Sequence, residues 1–216
     1  RFLRNEGKSM KRFIIYIAGL NLIAAAVVLN IRYDLGVAAF SSVMYAVAEI
    51  YHISLGTATI ICYLIFVSMQ CVLSKRITLT YALEIPLSFA FGLLTDFYDF
   101  LIPDFSLALV PGALCFFLTM FVTALGVFLC VKSRLILTPV EGIVQTISDV
   151  FKFPFSMVKN VYDVSLVAIS ALLCIAYNAP FYGIGAGTVL SAFAIGRIIK
   201  IYERADASLR LGAGAH

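Results

Sequence analysis

The stretch LGVAAFSSVMYAVAEI, Leu35 to Ile50, is apolar enough to enter a membrane but has only 16 residues. A helix needs about 20 apolar residues to cross the hydrocarbon core. A related stretch, LILTPVEGIVQTISDV, lies one hundred positions later at Leu135 to Val150. Both stretches are therefore predicted to be short helical segments that enter a membrane and return to the same side, or that lie at its interface.

The composition is that of a membrane protein. Hydrophobic residues make up 62% of the 216 residues, charged residues only 13%, and the mean hydropathy is +1.01, whereas soluble domains have about 25% charged residues. The net charge of +4 comes from cations at the ends of apolar runs, which predicts a lipid bilayer as partner and no nucleic acid. The five cysteines lie in apolar runs and are predicted to be buried small side chains. The two histidines have no metal-ligand spacing, so no metal or other cofactor is predicted.

Six longer apolar runs have the length of membrane spans, or nearly so. They are Phe13–Ile31, Thr57–Leu73, Leu79–Leu101, Leu107–Val131, Val161–Ala176 and Ile184–Ile201. With six spans, Lys75 and Arg76 lie on the same side as the basic N-terminus, as the positive-inside rule requires. If the two short stretches also crossed, these cations would move to the other side. Six spans with both termini cytoplasmic is the better prediction.

The two halves of the sequence resemble each other at an offset of one hundred residues, and charged positions match as well as apolar ones. Arg32 matches Lys132, and Glu49 matches Asp149. Three spans in each copy invert the second copy relative to the first, a plan found in secondary transporters. The predicted fold is an all-α membrane protein with six transmembrane helices in two inverted three-helix repeats, each with a short re-entrant or interfacial helical segment. The single domain, 1–216, divides into repeat 1 (12–104), repeat 2 (105–204) and a flexible tail (205–216).

Five motifs follow one another in a fixed order. They are LGVAAFSSVMYAVAEI (35–50), ISLGTAT (53–59), EIPLSFAFGLLTD (84–96), TPVEGIVQTIS (138–148) and GIGAGTVLSAFAIGRI (183–198). Together they resemble the YczE/YitT family of bacterial integral membrane proteins, over Phe13 to Tyr202. The resemblance implies a multi-pass protein of the bacterial cell membrane and an analogy to transporters or permeases, with no assigned activity and no assigned site residues.

Glu84 is the leading candidate for a functional group. An ionisable residue at membrane depth costs at least about 2.5–3.5 kcal/mol on insertion scales and usually faces the protein interior or water. Glu84 precedes Pro86, whose missing N–H frees the carbonyl of Ala82 to line a cavity. Glu84 is therefore predicted either to bind a proton or cation or to bend towards water at the inner interface.

A second candidate is the segment Thr138-Pro139-Val140-Glu141-Gly142. Thr138 is predicted to cap a helix that begins at Pro139, with Glu141 completing a capping box. The alternative is functional, because a helix N-terminus inside the membrane offers free N–H groups to a substrate. The matching residues of the first copy, Ser41 and Ser42, are predicted to contribute hydroxyl groups from the opposite side.

Further polar residues have two readings each. Lys159 and Asp163 are spaced i,i+4 and form either an ordinary interfacial ion pair or a gate or proton relay. Arg197 either reaches the cytoplasmic surface or pairs with Glu84. Thr188, in a glycine-rich stretch, is predicted to line the same substrate site.

Glu49 and Asp149 end the two short segments and are predicted to be solvent-exposed there rather than to form a site.

These patterns predict a secondary transporter or exporter of a small polar solute or ion. The alternatives are a permease or binding subunit of a larger transporter and a non-transporting membrane scaffold. No nucleotide-binding loop, metalloprotease motif or catalytic serine arrangement occurs in the sequence, so no enzyme is predicted. A homo-oligomer or a partner subunit remains open at this point.

Overall fold

The protein is helical throughout, as predicted. The structure, a computed structural model, describes the backbone of residues 2–33, 35–105 and 108–213 and the side chains of 10–33, 35–105 and 108–207. Within these ranges there is no strand. The elements are α1 (Phe2–Arg32), a 3₁₀ turn (Ala39–Ser41), α2 (Ser42–Tyr51), α3 (Leu55–Ser74), α4 (Leu79–Leu101), α5 (Leu109–Ser133), α6 (Pro139–Phe151), α7 (Phe155–Ala176) and α8 (Ala186–Ala213).

Four helices are long and apolar enough to cross a membrane, which is compatible with a multi-pass membrane protein. They are Met10–Arg32, Leu55–Ser74, Leu109–Ser133 and Phe155–Ala176, with mean hydropathies from 1.6 to 2.5. The other two predicted spans correspond to α4 and α8. Both helices have sufficient length, but Glu84, Asp96 and Asp99 in α4, and six charged residues in α8, lower their hydropathy.

The centre of the molecule is an antiparallel pair formed by α1 and α5. A Cβ atom on Gly19 would lie 2.8 Å from the carbonyl oxygen of Gly126, so small residues allow this close approach. Arg12 near the start of α1 donates from Nε to the carbonyl of Ser133 at the end of α5, at 2.9 Å. At the opposite end of α1, Arg32 pairs with Asp99 of α4 at 2.9 Å. We call these two ends of the molecule the Arg12 end and the Arg32 end.

Each short helix starts inside the molecule and ends at the surface that the chain has just left. The segment before α2 leaves Arg32 and reaches the interior, where the amide of Ala39 donates to Ser191 Oγ at 2.9 Å. It then returns, because α3 begins at the Arg32 end, where the amide of Gly56 donates to Asp96 Oδ1 at 2.6 Å. The second segment leaves Ser133 and returns to the Arg12 end in the same way.

Local sequence explains the tight turns of these segments. Gly36 has φ of +103° and lies against the backbone of Gly185, a conformation and a proximity that a side chain would disturb. Both short helices end at a left-handed residue, His52 with φ of 51° and Lys152 with φ of 60°. These two turns are one hundred positions apart.

The end of the chain continues the last helix. α8 runs on to Ala213, into the predicted tail, and residues 214–216 lie outside the described part. The five cysteines are free, and Cys62, Cys130 and Cys174 are buried, in keeping with the role predicted for them.

A buried cluster of carboxyl groups around Lys159

Four charged side chains meet in the interior between α4, α6 and α7. Glu84, Glu141, Asp163 and Lys159 are all at least 95% buried. The interior between these helices thus holds three carboxyl groups and one ammonium group. We call these four residues the buried charged cluster.

Lys159 joins two of the three acids. Its Nζ atom lies 2.9 Å from Asp163 Oδ1 and 3.8 Å from Glu141 Oε1, and it stands over the ring of Phe40, 5.4 Å from the ring centroid. The predicted i,i+4 pair with Asp163 is therefore present. Both side chains are almost fully buried, and Lys159 also lies near Glu141, so the pair fits a gate or relay better than an ordinary interfacial ion pair.

Glu84 is held without a cation. Gln70 Nε2 donates to Glu84 Oε2 at 2.6 Å, and Thr146 Oγ1 donates to Gln70 Oε1 at 3.3 Å. The carboxylate lies against Gly142, where a Cβ atom would come within 2.7 Å of Oε1. The ion pairs found in the described residues do not include Glu84, so its negative charge would be compensated only by neutral dipoles.

The start of α6 brings Glu141 into the buried charged cluster. The helix begins at Pro139 with Thr138 as the N-cap residue, as predicted. The capping box is absent, however, because the Thr138 side chain accepts no hydrogen bond from the helix backbone. Instead the Thr138 hydroxyl donates to Glu141 Oε2. The two side chains that a capping box would use for the backbone are thus bound to each other, and Glu141 is turned towards Lys159.

Two phenol groups near the buried charged cluster have no hydrogen-bond partner among the described residues. They are the hydroxyls of Tyr16 and Tyr162. Tyr16 is 94% buried, with 6% of its surface exposed, and it lies within electrostatic reach of Glu84 and Glu141. An unpaired buried hydroxyl costs about 1–3 kcal/mol, so these two groups are available to a ligand.

The sequence interpretation had passed over Gln70, Tyr16 and Tyr162. For Gln70 a signal existed, since an amide in the apolar run Thr57–Leu73 needs a polar partner. For the two tyrosines no sequence signal separates an unpaired hydroxyl from an interfacial one.

Three other predicted site residues form bonds elsewhere. Ser41 and Ser42 donate to carbonyls in their own turn, at 2.9 Å and 2.8 Å, and Thr188 donates to the carbonyl of Gly183 at 2.7 Å. All three are buried, but these hydroxyls satisfy the backbone of the short segment and of the start of α8. These contacts therefore do not join the three hydroxyls to Glu84 in the single site that was predicted.

Arg197 does not pair with Glu84. It is exposed on α8, whereas Glu84 is buried and bonded to Gln70. The neighbouring Ile198 and Ile199 face the core, which directs Arg197 outwards along the helix. Of the two predicted readings, the one in which Arg197 reaches the surface fits the structure.

Two cavities open at opposite ends of the molecule. The first-half cavity, about 440 Å³, is at the Arg32 end; its lining comprises Ile31, Arg32, Tyr45, Ala48, Glu49, Ile53, Ser54, Leu55, Asp99, Asp104 and Phe105. The second-half cavity, about 370 Å³, is at the Arg12 end; its lining comprises Val127, Val131, Leu137, Gln145, Phe155, Ser156, Lys159, Gly196, Ile199, Lys200 and Glu203. Glu49 is half-buried in the first cavity, while Asp149 is exposed as predicted.

Comparison with known proteins identifies a family. The model of a family of unknown function, DUF6198, matches residues 10–204, which include nearly all of α1 to α8. No curated protein and no solved structure matches the chain. The match does not name the YczE/YitT family, so that resemblance stays a prediction. The chain belongs to DUF6198, a family of unknown function.

Proposed function

We propose that the protein is a secondary transporter of a small polar solute across the bacterial cell membrane. Its six long helices would span the membrane as two inverted three-helix repeats, 12–104 and 105–204, each with one re-entrant segment. The observation that carries the proposal is the buried charged cluster, which holds three carboxyl groups and only one ammonium group. Such groups at membrane depth are costly and belong to ion pathways or substrate sites far more often than to packing.

Matched contacts support the inverted repeats. Gln70 of α3 lies against Gly142 of α6, with its Oε1 3.0 Å from where a Cβ would be. One hundred positions away in each case, Ser170 of α7 donates to the carbonyl of Ser42 in α2 at 3.1 Å. Exchange of the two halves therefore maps one interior contact onto the other.

The charged ends of the first helix of each repeat support the same symmetry. Arg32 at the end of α1 pairs with Asp99 of α4. Lys132 at the end of α5 pairs with Asp206 of α8 at 2.6 Å. The two pairs lie at opposite ends of the molecule, as inversion requires, and the loop cations at the Arg12 end favour a cytoplasmic location for that end.

The chemistry of the proposed site follows from its charge balance. If Glu84, Glu141 and Asp163 were all ionised, the interior would carry two negative charges in excess of Lys159. Burial of an uncompensated charge is costly, so a proton or a cationic solute bound at Glu84 would lower the energy of the site. Binding of one and release of the other would couple solute movement to a proton gradient.

The test is solute-driven proton movement in proteoliposomes that contain a trapped pH-sensitive dye. Amino acids, polyamines, small anions and small cations are added in turn to vesicles with the unaltered protein and with Glu84→Gln. We expect at least one class to drive proton movement, and Glu84→Gln to reduce it to the level of empty vesicles. Asp149→Asn, at an exposed carboxyl group outside both cavities, is the control and should retain the flux.

Two results would contradict the proposal. One is folded protein that moves no protons with any class. The other is a Glu84→Gln variant with unchanged flux, which would favour a scaffold role instead.

A further inference from the structure

The two cavities occupy equivalent positions in the two halves. Three pairs of lining residues are each one hundred positions apart: Ile31 and Val131, Tyr45 and Gln145, Leu55 and Phe155. Each cavity lies where the first helix of a half ends, the short helix returns and the next long helix begins. They are therefore the same feature of the fold, formed once at each end of the molecule.

The cavities differ in what they reach. The second-half cavity includes Lys159 in its lining, and Lys159 contacts Glu141 and Asp163 of the buried charged cluster. The first-half cavity ends against buried apolar residues, Ala48 and Leu55. Of the two cavities, only the second-half cavity, at the Arg12 end, thus reaches the buried charged cluster in this structure.

Helix packing explains the difference. In the first half, α3 and α4 are in close contact, because a Cβ on Gly92 would overlap Ile60 and come within 2.7 Å of the Gly56 carbonyl oxygen. At the corresponding place in the second half, a Cβ on Gly196 would lie 3.4 Å from Asn160 Oδ1, which is ordinary contact. The wider spacing of α7 and α8 leaves the gap that forms the second-half cavity.

The charges of the buried charged cluster and of the first-half cavity favour a cation, whereas the second-half cavity has Lys159 and Lys200 with one acid, Glu203, in its lining. The buried charged cluster has three acids and one base, and the first-half cavity is lined by Glu49, Asp99 and Asp104 with only Arg32 to balance them. The unpaired hydroxyls of Tyr16 and Tyr162 add hydrogen-bonding groups beside the cluster.

The geometry also favours an organic cation over a metal ion. In the described part of the chain no three His, Cys, Asp or Glu residues converge on a possible metal position. Carboxylates spread among aromatic rings instead suit an ammonium or guanidinium group, which the ring faces also attract.

We propose that the two cavities are the alternating entrances of one pathway for a small organic cation, with Lys159 as the barrier between the second-half cavity and the buried acids. The proposal rests on the proposed transport function and names its substrate class. In the other state, α7 and α8 would close and α3 and α4 would separate, so that the first-half cavity would reach Glu84.

Cysteine accessibility in proteoliposomes tests the two entrances. Tyr45→Cys and Gln145→Cys are made separately in a background in which only the half-buried Cys71 and Cys115 are replaced. We expect a membrane-impermeant thiol reagent to modify Gln145→Cys from one side and Tyr45→Cys from the other. Exposed Ser68→Cys on α3, outside both cavities, is the control and should react from neither side. Modification of both cavity positions from the same side would overturn the proposal.

Alternation is tested at a residue that only the other state would expose. Thr59 of α3 is buried and lies one hundred positions before Lys159, which lines the second-half cavity. Thr59→Cys should therefore react from the Arg32 end. A bulky reagent attached to Gln145→Cys should hold the second-half cavity open and slow this reaction by about tenfold or more, as expected when one state is strongly favoured. An unchanged rate at Thr59→Cys would contradict alternation, even if each cavity is open to its own side.

The probes for the substrate class are methylammonium and guanidinium, compared with sodium and acetate. We expect the two organic cations to change the ratio of the modification rates at positions 59 and 145, and Glu84→Gln to remove that effect. A change caused by sodium or acetate instead would overturn the substrate class. Accessibility does not require transport, so alternation without solute-driven flux would contradict the proposed function while leaving the two entrances in place.

Discussion

The two halves of the chain, 12–104 and 105–204, have the same order of long and short helices but different chemistry. Lys159 and Asp163 of α7 correspond to Thr59 and Tyr63 of α3, each one hundred positions earlier. In the second half these positions hold a buried ion pair, and in the first half they hold a hydroxyl and an aromatic ring in an apolar core. The same order of helices thus surrounds a charged site in one half and an apolar core in the other.

The largest effect is expected from removal of the single cation. Lys159→Met leaves Glu141 and Asp163 uncompensated in the interior, which costs about 3–5 kcal/mol for a buried pair. For a protein of this size that corresponds to a fall in Tm of about 10 °C or more. The measurement is thermal unfolding in mild detergent.

The matching control in the other half is Thr59→Val. The Thr59 hydroxyl donates to the carbonyl of Leu55 at 2.7 Å, and its loss should cost about 1 kcal/mol. The double variant Lys159→Met/Asp163→Leu should recover part of the loss, because it removes one uncompensated acid. Equal stabilities of Lys159→Met and Thr59→Val would mean that the two halves do not differ in the way described.

The next effect concerns the spacing of helices, and here the two halves should respond with opposite sign. Gly92→Ala forces a Cβ against Ile60 and the Gly56 backbone, and overpacking of this kind costs about 1–3 kcal/mol. Gly196→Ala meets only ordinary contact and improves helix propensity by about 1 kcal/mol. Thermal unfolding should show a lower Tm for Gly92→Ala and an unchanged or higher Tm for Gly196→Ala.

Measurement of solute-driven flux extends the comparison of Gly92 with Gly196. If α7 and α8 must close in the other state, Gly196→Ala hinders that closure, and a stable protein should lose solute-driven flux. Full flux in Gly196→Ala would show that this pair of helices stays apart during the cycle.

The hydropathy and the length of the apolar runs were sufficient to predict the helices. All six apolar runs fall on long helices, and the two short segments lie where the sequence indicates them. These features depend on local composition, which can be determined directly from the sequence. The charges in α4 and α8 marked the limit of that approach, since only tertiary structure reveals that Glu84 faces the interior.

The candidate site could be predicted only in part from the sequence. Glu84, Glu141, Lys159 and Asp163 were singled out because ionisable groups are rare in apolar runs, and the structure brings them together. The partners of these residues depend on how each helix is rotated about its axis, which the sequence does not show. Arg197 was a predicted partner of Glu84 but faces outwards, and Gln70 binds Glu84 in its place. The hydroxyls of Ser41, Ser42 and Thr188 were available for local backbone bonds, which compete with any distant site.

The smallest effect on stability is expected at the matched positions Gly142 and Ser42, where flux can distinguish a role in packing from a role in transport. Gly142→Ala places a Cβ within 2.7 Å of Glu84 Oε1 and 3.0 Å of Gln70 Oε1. Both are ends of flexible side chains and can shift, and the gain in helix propensity offsets the strain, so the stability should change by no more than about 1 kcal/mol. Ser42→Ala at the equivalent position loses one local hydrogen bond and should cost about the same. Flux in proteoliposomes should nevertheless fall in Gly142→Ala, because Glu84 is displaced, and persist in Ser42→Ala. Equal flux in the two variants would mean that the contact between Glu84 and Gly142 serves packing alone.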